Sequence, residues 1–261
     1  MQTVSTADAL RFERICRDFV QAGKPDGDTA TGIGTLGEKM LHAVIKSYVC
    51  EDLSCHERTL SADSRMVADV YRNGHIYEVQ TGGFFPLKKK IGWYLDNTDC
   101  HITVIHPLPA VKYLSWIDPE GGGISPRKRC PGKRDVKSIA KELYWLSDFI
   151  GNPRFSVQLL FLEIEEYRTR DGWGNGGKRG SHRYDRIPLS LLGTAELSTA
   201  ADYATYFLPT DKLPDPFTAA QYAKATGIRG RSTYSLIHLL EHLGLIQAAD
   251  KIGRSQTWRS V

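Results

Sequence analysis

Asp69, Glu78 and Gln80 bracket an Asn73-Gly74 pair, the strongest short signal for a two-residue hairpin turn. The runs on either side, residues 66–71 and 75–81, are rich in apolar, aromatic and β-branched side chains and predict two strands. Period-2 alternation puts Glu78 and Gln80 on one strand face, with Asp69 across the turn near enough to share it. Glu38 comes from the helix expected before them. Two or three carboxylates at strand ends suit a hard cation such as Mg²⁺ or Mn²⁺, which takes oxygen ligands and keeps several waters. Such a site can activate water and stabilise the charge that develops on a phosphate during hydrolysis. The same residues also fit the exposed polar face of an ordinary hairpin.

The surrounding elements must position that set. Residues 36–48 predict a helix, with Thr35 as N-cap, Glu38 as its capping-box partner and Met40, Leu41, Val44, Ile45 and Tyr48 as the apolar stripe. His42 falls one turn after Glu38 on the same face. Residues 56–60 predict a short strand, 84–94 a helix and 101–106 a further strand. The order is therefore helix, strand, two-stranded hairpin, helix, strand, which is an α/β core.

That order, with Asp69 on the hairpin and Glu78-Val79-Gln80 beyond it, resembles the PD-(D/E)xK, or restriction-endonuclease-like, nuclease superfamily over residues 36–106. The resemblance implies a mixed sheet flanked by helices, with Asp69 and Glu78 holding the metal and Glu38 assisting from the first helix. It also implies a lysine two residues after the acid that positions or polarises the attacking water. Here Gln80 stands at that position and is expected to position the water, and Lys88, Lys89 or Lys90 on the following helix could take the lysine's place. Ala68 stands where the family has proline.

Beyond this core, residues 5–22 have helical spacing, and residues 111–118 predict an aromatic strand followed by a Gly-rich turn at 121–123. Residues 135–150 predict a helix and 155–166 a buried strand. Residues 168–186 read as a polar loop rich in Gly and Arg. Basic runs fall at 88–90, 127–134 and 178–186. Any one run reads as a solvated loop, but Lys88, Lys178 and Arg179 are candidates for DNA contact. His182, in the last run, reads as a surface or nucleic-acid-contacting histidine.

The pair Pro214 and Pro216 reads as a linker into a C-terminal unit. Thr218 is a good N-cap for a helix over 219–225, and Thr226-Gly227-Ile228 supplies the tight turn of a helix-turn-helix. A second helix follows over about 231–243, ended by Gly244. Residues 245–247 and 255–258 read as a two-stranded wing. This unit resembles the winged-helix family, which implies that the second helix enters the major groove N-terminal end first. Arg229, Arg231, Ser232, Thr233 and Tyr234 would then face DNA, and Arg254 at the wing tip would meet phosphate. The competing reading is a module for protein contacts.

The expected organisation is an N-terminal helical extension over 1–30, a restriction-endonuclease-like α/β domain over 31–213 and a small α+β winged helix over 214–261. The 261 residues carry a formal charge of +4, a mild tilt toward an anionic partner. No apolar run reaches the roughly 20 residues needed to cross a bilayer. The first 30 residues break any signal-peptide pattern with charges such as Arg11 and Asp18, so the expected location is cytoplasmic with no membrane partner. Five cysteines without a C-x-x-C pair argue against a disulfide framework or a zinc site. Gly32, Gly34 and Gly37 spell a dinucleotide fingerprint, but no strand precedes them. The expected function is a Mg²⁺-dependent endonuclease acting on double-stranded DNA, with a homodimer as one option. The rival is a non-catalytic DNA-binding regulator with a degenerate nuclease-like core, which the neutral Gln80 favours.

Overall fold

The computed structural model describes residues 2–22, 40–60, 66–118, 123–132, 134–169 and 181–261. Its centre is a sheet whose strands show the alternation that a two-sided core requires. Along the central strand β4 (His101–Ile117), Ile102, Val104 and Leu108 join one buried cluster while Ile105 joins another. Strand β6 (Phe155–Thr169) does the same: Phe155, Val157, Leu159 and Phe161 face one side, and Leu160, Leu162 and Ile164 the other. Helices therefore cover both faces, and the molecule is a mixed α/β fold.

The strand order is β1-β2-β3-β4-β6-β7, with β5 (Lys128–Arg129) paired to β4. Strands β1 (His56–Thr59), β2 (Val67–Arg72) and β3 (His75–Val79) run as an antiparallel meander. Helix α3 (Leu87–Asn97) then returns the chain so that β4 pairs parallel with β3, and β6 pairs parallel with β4. The last strand, β7 (His182–Leu197), closes the edge antiparallel to β6. Helices α1 (Thr6–Ala22) and α2 (Met40–Val49) supply Phe12, Ile15, Leu41, Val44 and Ile45 to one face. Helix α3, the short helix α4 (Ala140–Leu143) and α5 (Ala200–Phe207) cover the other.

Several expectations need correction. The helix expected over 84–94 starts three residues later, because Pro86 lacks an N–H and suits a helix start. The two strands expected over 101–106 and 111–118 are one strand, with a register shift between Pro109 and Val111. Pro107 and Pro109 are tolerated because β3 ends opposite Ile105, leaving that side of β4 as a local edge. The helix expected over 135–150 is a broken succession of a 3₁₀ turn (Val136–Ile139), α4 and a second 3₁₀ turn (Tyr144–Leu146). The loop expected over 168–186 is strand at both ends, since β6 reaches Thr169 and β7 begins at His182.

The C-terminal elements are strand β8 (Phe217–Thr218), helices α6 (Ala219–Thr226) and α7 (Arg231–His242), and the hairpin β9 (Ile246–Ile252) and β10 (Ser255–Ser260). Thr218 caps α6 with the expected side-chain bond, and Gly227 takes the left-handed conformation (φ 75°) that turns the chain toward α7. Strands β8, β10 and β9 form a small second sheet. Phe217, Tyr222, Leu236, Leu240 and Trp258 belong to the same buried cluster as Leu143, Tyr203 and Phe207, so apolar packing runs without a break from α4 and α5 into this unit. The Tyr222 hydroxyl donates to the Phe207 carbonyl at 2.7 Å across that contact. Among the described residues, no helix is long and apolar enough to cross a membrane.

Candidate functional site

The hairpin turn that brings Asp69 and Glu78 together has positive φ at both central residues, Asn73 (51°) and Gly74 (76°). This is the turn whose twist matches paired strands. The β2–β3 pairing is regular up to Val70 opposite Tyr77. One step beyond, the Asp69 carboxylate accepts the backbone N–H of Val79 at 2.8 Å, in place of a ladder bond. His42 Nε2, from α2, lies 3.2 Å from the same Asp69 oxygen. Burial alone pushes the Asp69 carboxyl up. The His42 contact, the Lys90 ammonium and the Val79 N–H outweigh burial and hold it below the usual carboxylate value.

Glu78 is almost fully buried, 1% exposed. Its two oxygens are held from α3: Lys90 Nζ lies 2.6 Å from Oε2, and the buried Tyr94 hydroxyl donates to Oε1 at 3.2 Å. Burial raises the Glu78 pKa to about 7, with the neighbouring Asp69 charge adding to the rise and Lys90 opposing it. Burial, then Glu78 and Asp69, also push the Tyr94 phenol up. The pair thus sits where helices on the two opposite faces of the sheet reach one hairpin.

Gln80 does not point its amide at this pair. Its Nε2 donates to the Gly83 carbonyl, and the Gln80 backbone carbonyl accepts from His106 Nδ1 at 2.6 Å. The amide thereby stabilises the Thr81-Gly82-Gly83 turn. A side chain at Gly83 would meet Glu142 Oε2 at 3.0 Å, and that carboxylate already accepts the Phe84 N–H at 2.9 Å. Beside this turn opens a cleft of about 540 Å³, lined by His106, Lys112, Arg134, Arg183 and Arg186 and by the acids Glu142 and Glu166. Lys112 is matched by Glu166 at 2.9 Å, and Arg186 donates to the Thr81 carbonyl at 3.3 Å. Burial, then the Arg183 charge, hold Arg186 below its usual pKa. Burial likewise keeps His106 below the usual histidine value, with Arg186 and Arg134 acting in the same direction.

A family model described as a domain of unknown function (DUF8091) matches residues 39–198. The chain belongs to the DUF8091 family. No curated protein and no solved structure matches it. The DUF8091 segment contains Asp69, Glu78, Lys90 and the whole basic cleft, and it ends before the C-terminal helices and hairpin.

The remaining expected site residues scatter. Glu38, Lys178 and Arg179 lie outside the described residues. Among the described residues, no three His, Cys, Asp or Glu side chains cluster tightly enough to hold a metal. Lys88 pairs with Asp148 at 2.7 Å on the surface, away from the carboxylates, so of the three lysines it is Lys90 that reaches Glu78. Arg229, Arg231, Tyr234 and Arg254 are exposed, and Ser232 is half-buried. Thr233 is buried, and its hydroxyl donates to the Ile228 carbonyl at 2.9 Å. It therefore holds the turn before α7 and does not face outward. Tyr94 and His106 lay beyond the sequence reading. Their only signal there was helix and strand spacing, which cannot tell a hydroxyl aimed at the Glu78 carboxylate, or an imidazole aimed at the Gln80 backbone carbonyl, from plain core.

Proposed function

We propose that the chain is a metal-dependent DNA endonuclease that docks on duplex DNA through a C-terminal winged helix. The observation that carries the reading is a buried Glu78 one hairpin step from Asp69, gripped by a lysine from the helix that follows. Folding two carboxylates this close is costly unless their charge serves a purpose. The order α2, β1, β2, β3, α3, β4 supports the restriction-endonuclease-like reading, and Lys90 supplies the lysine that Gln80 does not.

The donor set suits Mg²⁺ or Mn²⁺. It consists of hard carboxylate oxygens, and burial with the neighbouring Asp69 charge raises Glu78 to about 7, a rise that a cation bound between the two would oppose. Asp69 and Glu78 would hold the ion. Bound there, it would supply an acidified water and offset the charge that builds on a phosphate. The chain's own groups do the rest. The Val79 N–H and His42 fix one Asp69 oxygen, and Tyr94 orients Glu78. Lys90 brings a positive charge to the edge of the reacting phosphate. Arg134, Arg183 and Arg186 line a channel for the flanking backbone.

The helix-turn-helix order of α6 and α7, followed by the β9–β10 hairpin, supports the winged-helix reading. Arg229, Arg231 and Arg254 are exposed where such a module meets phosphates. The alternative, a non-catalytic DNA-binding regulator, draws support from Gln80, whose amide serves the Gly83 turn. Incubating the full chain with supercoiled plasmid, with Mg²⁺ or with chelator, separates the two: an endonuclease nicks only with the metal, and a regulator binds without cutting.

A further inference from the structure

A line of exposed aromatic rings runs from the start of α3 to α7. Phe85 is 63% exposed, Tyr144 55% and Tyr234 57%. Trp145 joins the first two, packing edge-on against Phe85 at 4.8 Å and against Tyr144 at 5.2 Å between ring centroids. Water-facing rings in a contiguous set mark a surface that binds something.

Tyr144, Trp145 and Tyr234 border a groove of about 720 Å³ between α7 and the Tyr144–Leu146 turn. Tyr144 and Trp145 stand on one wall, and Tyr234 with the hydroxyls of Ser232 and Ser235 on the other. Lys141 and Arg231 add positive charge to the two walls. Asp148, an acid in the lining, is answered by Lys88 at 2.7 Å. The groove therefore offers aromatic rings, serine side chains and a net positive edge.

We infer that this groove binds single-stranded nucleic acid, with unpaired bases stacked on Tyr144 and Tyr234 and the backbone tracked by Lys141 and Arg231. The inference rests on the reading that α7 meets nucleic acid, and it adds an unpaired strand to the duplex met there. In a duplex the bases stack on one another and offer their faces to nothing else, whereas an open strand presents them. Aromatic platforms flanked by cations are how proteins hold single strands without reading their sequence. The concave shape fits as well. The outward face of α7 lies beside a wall of rings, a hollow that can receive a flexible strand. An unpaired strand held here is joined along Trp145 and Phe85 to the start of α3, the helix that carries Lys90.

The test uses the full-length chain without divalent metal, with fluorescein-labelled oligothymidine and a blunt duplex read by anisotropy. The single strand is expected to bind. Tyr144→Ala is expected to weaken that binding by about 5- to 150-fold, the range that stacking of one base on a ring is worth. Tyr144→Phe, which keeps the ring, is expected to restore it, and duplex affinity is expected to be the same in all three proteins. Tyr144 is exposed, so these changes leave the core intact. Duplex binding without strand binding, or strand binding indifferent to Tyr144→Ala, overturns the groove assignment and leaves duplex docking standing. Binding of neither form overturns both.

Discussion

Lys90 reaches from α3 to within 2.6 Å of Glu78, twelve residues back on β3, and supplies the positive charge that Gln80 cannot. Replacing Lys90 with glutamine keeps a hydrogen-bonding side chain and removes the charge. Metal-dependent cleavage should fall by about 10²-fold, the scale of losing one preorganised electrostatic contact. Gln80→Lys in the Lys90→Gln background should recover part of it, because it returns a charge two residues after Glu78. Full activity of Lys90→Gln alone would remove the lysine from the mechanism.

The second prediction concerns pH. Glu78 has a folded pKa of about 7 against an ordinary value of 4.5. A raised carboxyl binds its proton more tightly in the folded state, so its contribution to stability is complete below about pH 4.5 and is lost as pH rises through about 7. The loss is about 3 kcal/mol across that window. Denaturant unfolding of the metal-free protein at pH 5 and pH 8 should show a drop that Glu78→Gln largely removes. An equal drop in wild type and variant would contradict the buried, under-compensated site.

Much of this was legible in the sequence, and the reasons differ by element. The Asn73-Gly74 turn and the flanking alternation gave the hairpin and hence the closeness of Asp69 and Glu78, because turn chemistry and period-2 burial are local. The Thr218 cap and Gly227 gave α6 and the start of α7 for the same reason. Strand β7 was not legible. It pairs with β6 through three register shifts, carries Pro188 and Gly193, and lies at the sheet edge, so its alternation is scrambled. Helix α5 carries a local start signal in its capping box, Thr199 with Asp202, but at eight residues it is too short for apolar periodicity to mark it as a helix. The choice of Lys90 over Lys88 and Lys89 depends on how α3 sits on the sheet, which the sequence does not fix. Thr233 misled because a hydroxyl at a helix start suits DNA contact and turn capping alike.

The continuous core yields a third prediction. Tyr222→Phe removes the hydroxyl bond to the Phe207 carbonyl and leaves that acceptor buried. The whole chain should lose about 1–3 kcal/mol. Unfolding should remain one transition, since α6 shares its apolar cluster with α5. Two separated transitions in wild type would contradict the shared core.

Duplex binding should weaken as salt rises, because each phosphate neutralised releases counterions and contributes a log–log slope of about −0.9. Arg231→Ala in the full chain should make that slope shallower by about one unit and lower affinity alike for unrelated sequences. An unchanged slope would place α7 away from the phosphates.

The central claim is that Asp69 and Glu78 form the metal-binding centre of a DNA-cleaving enzyme. The most direct measurement is nicking of supercoiled plasmid by wild type, Asp69→Ala and Glu78→Ala, each with Mg²⁺, with Mn²⁺ and with chelator, alongside duplex affinity for the same proteins. The account predicts cleavage by wild type only with metal, none by either variant, and near-equal affinity for all three. Cleavage by both variants at the wild-type rate, or wild-type cleavage that persists in chelator, would contradict it.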